Sequence, residues 1–187
     1  GYLANSGIIP ALIGQSGLVL IDELAHACLW AGAQLSRGAV VRFRHNDVAH
    51  LDALLPAHRG HHNRVLVVTD GVFSMDGDLA PLPALAAIAK RHDAWLLTDD
   101  AHGIGVLGGG RGSAHAGGGR AEVPLQMGTL SKAVGAYGGY LCASSAVIDL
   151  IRNRARTLIY STALPPAMAA ESLELVQVAS DPLDIDL

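Results

Sequence analysis

The chain has 187 residues, half of them hydrophobic and 16% charged, with a formal net charge of −4. That length and apolar content suffice for one sizeable core, and the mild acidity argues against a nucleic-acid surface. Apolar stretches break well short of membrane-spanning length, the first residues lack a signal-peptide pattern, and Cys28 and Cys142 have neither disulfide-framework nor zinc spacing, so a reducing cytoplasm is the simplest setting.

Residues 1–5 read as the opening of a helix, followed by a strand over 18–21 and a helix over 25–35. A strand over 39–43 precedes a helix over 47–58, with Asp47 as its N-cap. A strand over 65–69 leads through Gly77-Asp78 and Pro81 to a helix over 82–92, and a strand over 94–98 leads into a glycine-rich stretch, 108–119, expected as a mobile surface loop. Strands over 125–128 and 139–143 precede helices over 145–154 and 167–179, and Pro165-Pro166 is the candidate linker. Apolar runs alternating with helical patterns predict an α/β fold. The expected form is a three-layer sandwich, with a mostly parallel sheet covered by helices on both faces. The chain opens on Gly1 rather than Met and closes on 181–187 without a terminal cap, and so reads as an internal piece of a longer protein.

Polar residues follow three of these strands: Asp70 and Ser74, then Asp99 and His102, then Thr129 and Lys132. In open α/β sheets ligands bind beyond the carboxyl ends of the strands. Lys132 stands among small residues and hydroxyls in Gly128-Thr129-Leu130-Ser131-Lys132-Ala133. A carboxylate for a pyridinium nitrogen and a lysine for an imine are what pyridoxal phosphate requires of a protein. The plain alternative for Lys132 is a surface lysine after a turn. Asp99 and Asp100 compete for the carboxylate role, and strand parity in the sequence does not separate them. His102 is a candidate to hydrogen-bond a ring substituent, His26 to stack on the ring and Ser74 to donate to the cofactor, against the plain alternatives of a structural histidine, a helix-start histidine and a turn serine. The backbone of Gly1 and Tyr2, at a helix start, suits a phosphate.

Two competing patterns are weak. Gly103-Ile104-Gly105-Val106-Leu107-Gly108 matches the dinucleotide fingerprint, but the chain runs on into glycines that cannot hold the helix this motif must open. His58, His61 and His62 lie on a basic stretch with no Cys or carboxylate close by, a poor zinc cage.

Four segments occur in one order: Phe73-Ser74-Met75-Asp76-Gly77-Asp78, Asp99-Asp100-Ala101-His102-Gly103, Gly128-Thr129-Leu130-Ser131-Lys132 and Tyr160-Ser161-Thr162-Ala163-Leu164-Pro165-Pro166. Together they resemble the α-oxoamine synthase family of fold-type I pyridoxal-phosphate enzymes. The resemblance implies Lys132 as Schiff-base lysine and acid–base group, Asp99 on the pyridine nitrogen, and His102 and Ser74 on ring substituents. It implies His26 stacked on the ring and facing substrate, and Thr129 with the backbone of Gly1 and Tyr2 on the phosphate. Ser161 and Thr162 would reach the phosphate of a neighbouring subunit, hence a homodimer with shared sites. Residues 1–164 would form the cofactor-binding large domain, incomplete at its N-terminus. Residues 165–187 would start the connection to a small C-terminal domain, and the arginine expected on the amino-acid carboxylate would lie in the missing part. The implied reaction is a cytoplasmic decarboxylative condensation of L-alanine with pimeloyl-CoA or a pimeloyl carrier protein, a step of biotin synthesis. Glycine C-acetyltransferase and other α-oxoamine synthases are the nearest alternatives. A non-catalytic relative or a dinucleotide-binding protein is remote.

Overall fold

The computed structural model describes residues 1–117 and 119–180. The elements run α1 (Tyr2–Leu12), β1 (Gly17–Asp22), α2 (Ala27–Leu35), β2 (Ala39–Phe43), α3 (Val48–Arg59), β3 (Arg64–Asp70), α4 (Leu82–Arg91), β4 (Trp95–Asp99), β5 (Leu125–Thr129), β6 (Gly139–Cys142), α5 (Ser145–Arg154), α6 (Arg156–Ile159) and α7 (Pro166–Ser180). The six strands form one sheet in the order β2-β1-β3-β4-β5-β6, parallel except that β6 runs antiparallel to β5. Among the described residues, no helix is long and apolar enough to cross a membrane.

Both faces of the sheet are buried, which is why its central strands read as unbroken apolar runs. Side chains alternate across the pleat. Leu18, Leu20, Val65, Val67 and Leu96 face one layer, where Leu51 and Leu55 of α3 and Leu82 and Leu85 of α4 cover them. Val19, Ile21, Leu66, Val68, Leu97, Leu125 and Met127 face the other, under Ile8, Ile9 and Leu12 of α1, Leu29 of α2 and Ile151 of α5.

The expectations for strands and helices hold to within a residue or two at most boundaries, and the departures have physical causes. The first helix, expected over 1–5, continues to Leu12 with Pro10 inside it. Proline in a helix costs about 3 kcal/mol, but burying Ile8, Ile9 and Leu12 stabilises by roughly 1.5–3 kcal/mol each. Helix α2 begins at Ala27 rather than Ala25 because His26 is its N-cap. The short α6 was not expected. The glycine-rich stretch is not a free loop in its middle. Ser113 and Ala114 are buried in a 3-10 turn over Ser113–His115, and the Ser113 N–H donates to both oxygens of Asp100 at 3.1 and 3.0 Å. Gly118 of that stretch, and residues 181–187 of the expected connecting segment, lie outside the described residues.

Helices α1 and α2 cross closely at Gly32. A Cβ built there would stand 2.6 Å from the backbone carbonyl oxygen of Asn5 and 2.9 Å from Cδ1 of Ile9. Backbone cannot yield as a flexible side chain does, so any larger residue must push α1 away from α2. We expect Gly32→Val to destabilise the full-length protein by roughly 1–3 kcal/mol in denaturant unfolding. An unchanged midpoint would show that the crossing is not tight.

Candidate active site

Three rows of side chains on the α1–α2 face run to the carboxyl ends of adjacent strands. The row of Leu66 and Val68 ends in Asp70, that of Leu97 in Asp99, and that of Leu125 and Met127 in Thr129. Strand register sets Asp70 directly beside Asp99, and Asp99 beside Met127. The pleat thus separates the two candidate carboxylates. Asp99 turns toward α1 and α2, whereas Asp100 turns to the following loop and accepts the Ser113 N–H. Gly103 and Gly112 belong to that arrangement, since a Cβ at either would overlap the Asp100 carboxylate.

Asp99 is 5% exposed. Its Oδ2 accepts from Asn5 Nδ2 at 2.7 Å and lies 3.6 Å from the Cys28 thiol, and its Oδ1 accepts from the Ala101 N–H at 2.9 Å. Among the described residues no salt bridge reaches it. Asp70, equally buried, accepts from the His26 N–H at 2.7 Å. Burial pushes the Asp70 carboxyl up to about 7, against the pull of that N–H and with a further push from the Asp99 charge.

His26 is exposed at the start of α2. Its Nδ1 accepts from the Cys28 N–H at 3.2 Å and lies 2.9 Å from the Cys28 sulfur, so that nitrogen carries the lone pair. Burial pushes the Cys28 thiol up to about 11, which keeps it protonated at neutral pH.

Lys132 is exposed on the turn after β5, and its Nζ lies 2.9 Å from Nε2 of His102. Burial, and next the Lys132 cation, hold His102 below the usual histidine value. A neutral His102 therefore accepts from the lysine. The turn is braced by Thr129, whose hydroxyl donates to the Gly138 carbonyl at 2.9 Å and lies 2.8 Å from that of Ser131.

The start of α1 comes to the same place. A Cβ at Gly1 would be 3.8 Å from Cβ of Thr129, and one at Gly139 would be 3.4 Å from the Gly1 nitrogen. The first hydrogen bond of α1 runs from the Asn5 N–H to the Gly1 carbonyl, and no side chain caps the helix, which leaves its opening N–H groups for an anion.

The edge therefore gathers Gly1, Tyr2, His26, Asp99, His102, Thr129 and Lys132. Ser74 sits in the exposed turn after β3 and has no hydrogen bond to any of these. Ser161 and Thr162 are exposed, and the Ser161 hydroxyl donates to the Thr157 carbonyl at 2.6 Å. Residues 103–108 form turns closed by an Ile104–Arg111 bridge and open no helix, which removes the geometry a dinucleotide would need. A cavity of about 680 Å³ lined by Ala86, Lys90, Ala94, Leu96 and Glu122 lies toward the opposite end of β4, away from this chemistry.

Sequence reading passed over Asn5 and Cys28. The available signal was a lone amide in an otherwise apolar helix. Taken together, a buried carboxylate without a cation, an exposed amine against a neutral imidazole, and a helix start beside a hydroxyl fit the three ends of pyridoxal phosphate.

The family described as aminotransferase class I and II matches residues 1–177. The chain is 63% identical to the 8-amino-7-oxononanoate synthase of Beijerinckia indica over 184 residues, 97% of this chain and 48% of that protein. It superposes on a serine palmitoyltransferase of S. paucimobilis, solved with bound PLP-myriocin aldimine, with a TM-score of 0.87 at 37% identity, covering 95% of this chain and 45% of that one. The 8-amino-7-oxononanoate synthase of Francisella tularensis gives a TM-score of 0.80 at 27% identity, covering 98% and 53%. The chain spans about half the length of the curated relatives it matches.

The raised Asp70 sets a direction for pH dependence. Between its ordinary value of 3.8 and about 7, the folded chain keeps a proton that the unfolded chain gives up, so stability falls as pH rises through that window. Asp70→Asn retains an oxygen for the His26 N–H and removes the titration. The fall in Tm from about pH 5 to about pH 8 should be smaller in the full-length apo variant than in the parent. An equal or steeper fall would contradict the assignment.

Proposed function

This chain belongs to the aminotransferase class I and II family, and on that premise we propose that the full-length protein is a pyridoxal-phosphate-dependent acyltransferase. It condenses L-alanine with a pimeloyl thioester to 8-amino-7-oxononanoate, CO2 and free thiol, a step of biotin biosynthesis in the cytoplasm. The contact of Lys132 Nζ with His102 Nε2, at the edge where Asp99 is buried without a cation, carries the chemistry. The choice of substrate is supported by 63–64% identity to curated 8-amino-7-oxononanoate synthases over nearly the whole chain.

When bound, pyridoxal phosphate supplies an electron-withdrawing ring to the α-carbon of the amino acid. Lys132 provides the amine that holds the cofactor's aldehyde. The same amine, when free, would take the proton from the alanine α-carbon. The neutral His102 accepts from Lys132 in the resting protein and so helps to keep its Nζ placed. Asp99 would pair with the ring nitrogen, and a carboxylate there favours the protonated nitrogen that strengthens the withdrawal of electrons. Thr129, its hydroxyl turning from the Gly138 carbonyl, and the opening N–H groups of Gly1 and Tyr2 would hold the phosphate. His26, with its Nδ1 committed to Cys28, presents its ring to the cofactor's face and to the substrate. Ser74 donates to a ring substituent.

Ser161 and Thr162 serve the phosphate of a second subunit, so the working unit is a homodimer with shared sites. Large apolar side chains left exposed at Tyr2, Leu3, Leu158, Ile159 and Tyr160 support this reading, because such surfaces mark association sites. Residues 1–164 act as the cofactor-binding unit, and 165–187 begin the connection to a smaller C-terminal domain.

The test is borohydride reduction of the full-length protein with pyridoxal phosphate, then peptide mapping, then turnover with alanine and pimeloyl-CoA against glycine and acetyl-CoA. A reduced pyridoxyl group on Lys132, alanine-specific turnover, and a loss of about 10³-fold or more in Lys132→Ala are expected. Turnover confined to glycine and acetyl-CoA would make the protein a glycine C-acetyltransferase. Undiminished turnover in Lys132→Ala would defeat the lysine assignment.

A further inference from the structure

We propose that Asn5 is the positioning residue for Asp99: its two amide hydrogens are shared between the carboxylate and the Cys28 sulfur, and this holds Asp99 turned to the place where a cofactor's ring nitrogen would pair with it. The inference rests on the pyridoxal-phosphate reading above.

Asn5 is fully buried one turn into α1. Its Nδ2 donates to Asp99 Oδ2 at 2.7 Å and to Cys28 Sγ at 3.2 Å, which accounts for both amide hydrogens. Its Oδ1 is buried with no partner. An orphaned buried oxygen is costly and needs an explanation. Here the opposite amide orientation would aim Oδ1 at the carboxylate, lone pair against negative charge. The orientation is therefore set by what the nitrogen does for Asp99.

The choice of an amide also has a chemical consequence. A lysine or arginine at position 5 would neutralise Asp99 and compete with the ring nitrogen for it. A neutral donor stabilises the ionised carboxylate and leaves its charge to the cofactor. Cys28 occupies the second amide hydrogen and also lies 2.9 Å from His26 Nδ1. The amide that steadies the carboxylate is thereby linked to the ring that would stack above the cofactor. The close approach of the Asn5 backbone carbonyl to Gly32 fixes how near α1 lies to α2, and so where the Asn5 side chain starts.

A double-mutant cycle tests this on the full-length apoprotein, with pyridoxal phosphate as the titrated probe and its Kd read by fluorescence. Asn5→Leu should weaken binding by about tenfold or more, the scale of one hydrogen bond to a charged group. In an Asp99→Asn background, the same change should add less than about twofold, because Asn5 acts through the carboxylate. The visible band of the bound cofactor should move in the same direction in Asn5→Leu as in Asp99→Asn, a signature that a packing defect would not copy. Asn5→Ser, too short to reach Asp99, should behave alike and covers the case in which leucine prevents folding. Additive losses in the cycle, or unchanged affinity in both Asn5 variants, would overturn the inference while leaving the cofactor reading intact. A parent protein that binds no pyridoxal phosphate, or an Asp99→Asn variant that binds it as the parent does, would overturn the cofactor reading and this inference together.

Discussion

A carboxylate buried at the end of a strand without a cation beside it must be met by neutral donors. In this chain those donors are the Asn5 amide and the Ala101 N–H, at 2.7 and 2.9 Å from Asp99. Much of the site depends on that pairing. It requires the first turns of α1 to lie over the carboxyl ends of β4 and β5, which in turn requires the close crossing with α2 at Gly32. With α1 so placed, its opening N–H groups reach the neighbourhood of Thr129. One helix thus presents uncapped N–H groups at its start and a donor to a carboxylate one turn later.

The register of the sheet adds a second constraint. Asp70 and Asp99 stand side by side on neighbouring strands, and two charges there would repel at close range. Burial and the neighbouring Asp99 favour the proton on Asp70, which serves His26 as a hydrogen-bond acceptor. The other face of the sheet solves a similar problem differently. His45 lies between Asp22 and Asp78, with its Nδ1 3.0 Å from one carboxylate and its Nε2 2.7 Å from the other. Burial opposes its charge, but the two carboxylates outweigh burial and raise its pKa. This clamp ties the turn that carries Ser74 to the ends of β1 and β2.

Much of this was legible in the residues. Unbroken apolar runs announced strands buried on both faces, and Asp47 announced the start of α3, where its side chain caps the His50 N–H at 2.8 Å. The motifs that end the strands marked Lys132, His102 and the Asp99–Asp100 pair as candidate site residues. Other features were hidden because their causes are not local. The first helix was legible only through residue 5, whereas tertiary burial sustains it to Leu12 with Pro10 inside. Glycines argued for a free loop where Asp100 pins Ser113. Beyond a lone amide in an apolar helix, Asn5 and Cys28 gave little sign of a role, because their partner lies more than seventy residues away in the chain.

By itself the sequence determined the α/β architecture, the order of its elements and the residue types at the strand ends, because hydrophobic period and turn chemistry are local properties. Only the tertiary structure decided which of two adjacent aspartates faces the site, that Asp70 shares its position with Asp99, and that an amide from α1 holds the carboxylate. Those outcomes depend on the direction of the pleat, the register between strands and the distance between helices, and such quantities exist only once the chain has packed.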